Sequence, residues 1–185
     1  MVCSGNICRS PIAEQLLRAR ATGSAFSIQV GSAGTIAAEG EAMTGEAAQL
    51  SARYGGDPSG HTSRPLTAEL VSAADLILTA ARSHRAAVVS LVPRASRYTF
   101  TLNEFARLVR LQEAETPDEV MPLAELVPAV AAFRGFGLAQ NPTDDDIEDP
   151  YRRSFDVYEA AAHDIDIAVG VVAERLIRLG AVENR

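Results

Sequence analysis

Short apolar runs and helical stretches take turns along the first hundred residues, and that alternation restricts the chain to very few folds. Residues 11–22 place Ile12, Leu16 and Leu17 on one helical face, with Ser10 at the cap, Pro11 at the first helical position and Gly23 past the end. Phe26 to Val30 alternates apolar and polar residues and runs into Gly31-Ser32-Ala33-Gly34, which predicts a short strand ending in a tight loop. A helix is expected from Thr44 to Tyr54, stopped by Gly55-Gly56, and a short one after the cap residue Thr67. Asp75 to Thr79 is a continuous apolar run of the parallel-sheet type, followed by a helix from Ser83 to Leu91 and a strand at Tyr98 to Thr101. Connections of this length permit crossovers. The expected class is therefore α/β, a three-layer sandwich around a central parallel sheet of about four strands.

After Leu102 the pattern changes. Residues 102–147 carry two helical pieces, each opened by a capping-box sequence, Thr101-Leu-Asn-Glu104 and Thr116-Pro-Asp-Glu119, and read as a helical insertion. From Ser154 to about Leu179, apolar residues at 158, 161, 165, 168, 172, 176 and 179 keep helical spacing until Gly180. At 185 residues and 47% hydrophobic content the chain suits one globular domain over 1–185. No apolar run reaches membrane-spanning length. All 17 basic residues are Arg, and 24 carboxylates give a net charge of −7, a field that repels polyanions and argues against nucleic acid as a partner. Two cysteines are too few for a secreted disulfide framework, which predicts a cytoplasmic protein.

Those two cysteines stand in the segment with the most chemistry, Cys3-Ser-Gly-Asn-Ile-Cys-Arg-Ser-Pro11. A loop of this length entering a helix curls its backbone N–H groups inward and places an anion at the positive end of the helix dipole. Gly5 and Asn6 are expected to supply positive φ for the curl. Arg9 offers a planar fork to two phosphate oxygens, and the same positive field favours the thiolate of Cys3, a nucleophile that needs no dedicated base.

The segment resembles the phosphate-binding loop of the low-molecular-weight protein tyrosine phosphatases. Three further segments resemble that family in order and spacing: Gly31-Ser-Ala-Gly-Thr35, Gly60-His-Thr-Ser-Arg64 and Ile147-Glu-Asp-Pro-Tyr151. The resemblance implies a phosphatase for phosphotyrosine or related aryl phosphate monoesters, with Cys3 as nucleophile, Arg9 as phosphate ligand and Asp149 as general acid and then base. It implies that the amides of Ser4, Gly5, Asn6, Ile7, Cys8 and Arg9 bind phosphate, that Asn6, Ser10, Ser32 and His61 hold the loop, and that no metal or cofactor takes part. Cys8 occupies the family's position for a redox partner of the nucleophile. Tyr151 would form one wall of the substrate pocket; the second is expected to be aliphatic, from Ile36 or Met43, because no aromatic follows Gly31 to Thr35 closely. His84 and His163 fall in predicted helices and are expected at the surface.

The sequence departs from the family at its start, where only Met1 and Val2 precede Cys3. The expectation is a truncated first strand, with neighbouring strands left unpaired and the natural chain starting upstream of Met1. Two other enzyme or binding functions fit the same loop: an arsenate reductase using an external thiol, and a catalytically weak phosphate- or phosphoprotein-binding module. A metal site of Cys3, Cys8 and a histidine lacks ligands at sensible spacing. Nothing in the residues selects an oligomeric state.

Overall fold

Four very short strands, β1 (Val2–Cys3), β2 (Ala33–Gly34), β3 (Ile77–Thr79) and β4 (Thr99–Thr101), form a wholly parallel sheet in the order β2-β1-β3-β4. The structure is a computed structural model and describes residues 1–23, 28–117, 121–136 and 139–183. Helices α1 (Arg9–Ala21), α2 (Gly45–Arg53) and α3 (Ala68–Ser72) precede β3, and α4 (Arg82–Leu91) leads to β4. Helices α5 (Leu102–Glu115), α6 (Leu123–Ala132) and α7 (Phe155–Glu183) follow.

Successive strand residues point to opposite faces, and the two faces have different partners. Leu78 and Phe100 join the larger core, which gathers α1, α2, α5, α6 and α7. Val2 and Ile77 face a smaller cluster completed by Val71 of α3, Val88 of α4 and Ala95. That gives the three layers expected. Helix α1 lies between sheet and α7, so every residue from Arg9 to Leu17 is buried.

The first strand is present and central. Val2 and Cys3 align with Ala33 and Gly34 on one side, and Val2 aligns with Thr79 on the other, so the neighbours are paired through it rather than left open. The amino group of Met1 donates to Gly31 O at 2.7 Å, and burial pushes it down to about 6. It borders a cavity of about 610 Å³ whose lining includes Val30 and Leu76.

Several expected boundaries shift. Helix α1 starts two residues before Pro11, with Cys8 at its N-cap, because the loop turns into the helix before Ser10 is reached. Of the strand expected at 26–30, Phe26 and Ser27 lie outside the described residues, while 28–30 are irregular and the pairing falls on Ala33 and Gly34. Helix α5 has the predicted Thr101–Glu104 capping box. Thr116 ends α5, its N–H and hydroxyl both returned to Gln112 O, and α6 begins at Leu123; Asp118 and Glu119 of the second expected box lie outside the described residues. Helix α7 runs through Gly180 to Glu183.

Candidate active site

Parallel strands deliver their carboxyl ends to one edge, and here all the chemistry-bearing loops meet at that edge. β1 opens into the loop 4–8, which feeds α1. Loop and β2 are knit by Thr35 N to Cys3 O at 2.9 Å and Ile36 N to Ser4 O at 3.1 Å. The segment before Asp149 hangs from β3, Ile147 N donating to Ala80 O at 2.8 Å. Asp146 accepts from Arg82 N at the start of α4 and pairs with the Arg82 guanidinium, which holds its carboxyl below the usual range despite partial burial.

Asn6 is the hub of the loop. It alone of the loop residues takes positive φ, 56°, whereas Gly5 does not. Its fully buried side chain donates through Nδ2 to Ser10 Oγ at 2.9 Å and Ser32 Oγ at 2.8 Å, and Oδ1 accepts from Arg64 N at 3.0 Å. Its carbonyl accepts from His61 Nε2 at 2.8 Å. Ser10 Oγ accepts from Asn6 and lies 3.0 Å from Cys3 Sγ, close enough for its hydroxyl to donate to a thiolate there. On the far side Ser32 donates to Glu14, which also pairs with Arg18. A chain of hydrogen-bonded groups therefore links Asn6 through Ser10 to the buried sulfur.

Arg9 is buried and held by three groups: NH1 donates to Ile147 O at 3.0 Å, and NH2 lies 2.5 Å from Asp149 Oδ2 and 3.5 Å from Ser4 Oγ. Its Nε is buried without a partner among the described residues. None of the backbone amides from Gly5 to Cys8 donates to a carbonyl among the described residues. Asp149 is half exposed and its Oδ1 accepts from Tyr151 N at 3.2 Å. Tyr151 is 46% exposed, with the Arg152 guanidinium 5.1 Å from its ring centroid. Arg152 takes φ 61°, a left-handed conformation costly for a residue with a Cβ.

The structure thus brings Cys3, Arg9, Asp149 and the four support residues Asn6, Ser10, Ser32 and His61 together. Among the expected wall residues it separates two. Ile36 is 81% exposed beside the loop, whereas Met43 is partly buried against the core, its sulfur accepting from Gln15 Nε2 at 3.1 Å. Cys8 packs into the core near Thr44 and Tyr158, and burial pushes its thiol up. Both cysteines are free thiols. His163 is exposed as expected, but His84 is not: it is 5% exposed and its Nε2 lies 2.8 Å from Ser4 Oγ. The available signal was positional, since His84 lies in the first turn of the helix that follows β3, near the carboxyl edge of the sheet. Glu14 was missed for lack of any motif. Among the described residues no group of three or more His, Cys, Asp or Glu is placed to hold a metal ion, and no helix is long and apolar enough to cross a membrane.

This constellation on a four-stranded parallel α/β sheet defines a phosphate-loop cysteine phosphatase fold. The chain belongs to the low molecular weight phosphotyrosine protein phosphatase family, whose model matches residues 1–124. It is 30% identical over 180 residues to the probable low molecular weight protein-tyrosine-phosphatase EpsP of Ralstonia nicotianae, covering 97% of this chain and 96% of that one. It is 36% identical over 105 residues to the protein-arginine-phosphatase of Bacillus subtilis, covering 56% and 69%. Among solved structures, the low molecular weight protein tyrosine phosphatase from T. tengcongensis superposes with a TM-score of 0.69 at 29% identity, over 94% of this chain and 95% of that one.

Proposed function

We propose that this protein hydrolyses phosphotyrosine, or a related aryl phosphate monoester, through a phosphocysteine on Cys3. The observation that carries the reading is the shared reach of Arg9: one guanidinium joins the loop to Asp149 while its buried Nε–H has no partner among the described residues. A phosphoryl oxygen supplies the acceptor that this donor and the loop amides lack.

In the first step the Cys3 sulfur attacks phosphorus, an S–P bond forms, the P–O bond to the aryl group breaks, and Asp149 gives its proton to the departing phenolate oxygen. In the second, water attacks phosphorus, Asp149 takes the water's proton, and the S–P bond breaks to return the thiolate and inorganic phosphate. Arg9 and the amides stabilise the equatorial oxygens in both steps. A bound phosphoryl group also competes with Asp149 for Arg9 NH2, which separates the two side chains when substrate arrives. The exposed ring of Tyr151 and the Ile36 side chain form the apolar rim for an aryl group. That rim, next to Asp149, favours an aryl ester over the phosphoarginine that the Bacillus subtilis relative's name denotes. Residues 102–147 act as a structural elaboration of a single domain, and the free thiols Cys3 and Cys8 suit a reducing cytoplasm, with Cys8 near enough in sequence to cap an oxidised Cys3.

The test is turnover of p-nitrophenyl phosphate, a phosphotyrosine peptide and phosphoarginine in the presence of EDTA. Cys3→Ser is expected to abolish turnover, and Asp149→Asn to lower kcat about 10²- to 10⁴-fold. Arsenate reduction with an external thiol, or phosphate binding without turnover, would replace the reading.

A further inference from the structure

Within the loop, Ser4 is tied to a group outside the Asn6 network. His84, in the first turn of α4, lies with Nε2 2.8 Å from Ser4 Oγ. The other ring nitrogen, Nδ1, is buried without a partner among the described residues. A histidine kept only for packing has no need to sit where one nitrogen is orphaned and the other meets the phosphate loop.

The charged groups facing the ring are Arg9, Asp149 and Asp146; burial and Arg9 outweigh the two carboxylates and push His84 down to about 4. The imidazole is neutral at physiological pH, so one nitrogen carries a proton and the other a lone pair. An orphaned buried N–H is rarer than an under-used acceptor, which puts the proton on Nε2 and the bare lone pair at Nδ1. Ser4 Oγ then receives two N–H groups, His84 Nε2–H and, at 3.5 Å, Arg9 NH2. Both lone pairs are taken, and among the described residues the hydroxyl proton has no acceptor.

We infer that His84 is a positioning residue: by donating Nε2–H to Ser4 Oγ it turns the Ser4 hydroxyl into a further donor for the phosphoryl oxygens held by Arg9. The inference rests on the phosphatase reading, but its two parts are measured separately.

Nitrogen-15 spectra of the histidines at pH 7 should show the Nε2–H tautomer for His84; a proton on Nδ1 overturns the inference. His84→Ala and Ser4→Ala should each lower kcat/KM for p-nitrophenyl phosphate about ten- to hundredfold, the range of a hydrogen bond to a charged group. The double variant should be no worse than either single one, and additive losses overturn the inference. His84→Gln, which keeps an N–H at the same reach, should recover most of the activity, while His163→Ala at the exposed site stays at the parental level. If the unaltered chain does not turn over, the phosphatase reading fails alone. Calorimetric affinity for inorganic phosphate in the same variants, with the tautomer, then decides the role of His84: equal affinity in parent and His84→Ala would end it.

Discussion

A histidine buried in its neutral form makes stability depend on pH. The unfolded chain protonates His84 at its ordinary value near 6.5, whereas the folded chain resists until about 4. Between those values the unfolded state binds more protons, so the contribution of His84 is fully present above about pH 6.5 and is lost as pH falls towards 4. The difference in urea midpoint between the parent and His84→Gln should therefore change between pH 6.5 and 4.5; parallel curves would mean that the ring is not buried as neutral imidazole. Residues of this kind were the least legible in the sequence. Cys3, Asn6, Arg9 and Ser10 stand in one contiguous motif, and His61 and Ser32 in short glycine-flanked segments, so their company marks them. His84 and Glu14 stand on helices whose local pattern marks neither as buried, and only the docking of α4 and α1 decides where they point.

Elements were legible where a cap or a period is local, and illegible where a partner decides. The Thr101–Glu104 box and the Thr67 cap depend on side chains three residues from the N–H they satisfy, and both are present, while Thr44, expected as the first residue of its helix, caps it instead. The alternation at Phe26 to Val30 is just as regular, yet the hydrogen-bonded partners of β1 are Ala33 and Gly34, two residues with little strand propensity of their own. Gly180 is passed because the packing of α7 against α1 and α5 outweighs the propensity cost of about 1 kcal/mol. β2 also sets a steric limit. A Cβ on Gly34 would stand 2.4 Å from Ser4 O and 2.9 Å from Asn6 N, both backbone atoms of the phosphate loop. Gly34→Ala should cost about 1 to 3 kcal/mol of unfolding free energy, read from urea denaturation, and displace the loop enough to lower kcat about 10²-fold. Undiminished turnover would show that the loop moves aside without consequence.

At the scale of the molecule, charge and core pull apart. The core is continuous from α1 to α7 and takes in Leu126 and Val130 of α6, so the long segment after β4 shares the hydrophobic cluster behind the loop. The surface carries a net −7 against substrates that are themselves anions. Raising ionic strength from about 10 to 150 mM shortens the Debye length from about 30 to 8 Å and should raise kcat/KM for an acidic phosphopeptide. A fall would mean that Arg82, Arg152 and Arg153 at the rim govern the approach. Once a ligand has arrived, Asn6 governs its reception. With Nδ2, Oδ1 and the carbonyl of Asn6 all engaged in the free protein, the shape of the loop is settled when the chain folds. A ligand that enters meets a preformed receptor, so the reorganisation needed on binding falls on exposed side chains such as Ile36 and Tyr151 rather than on the loop.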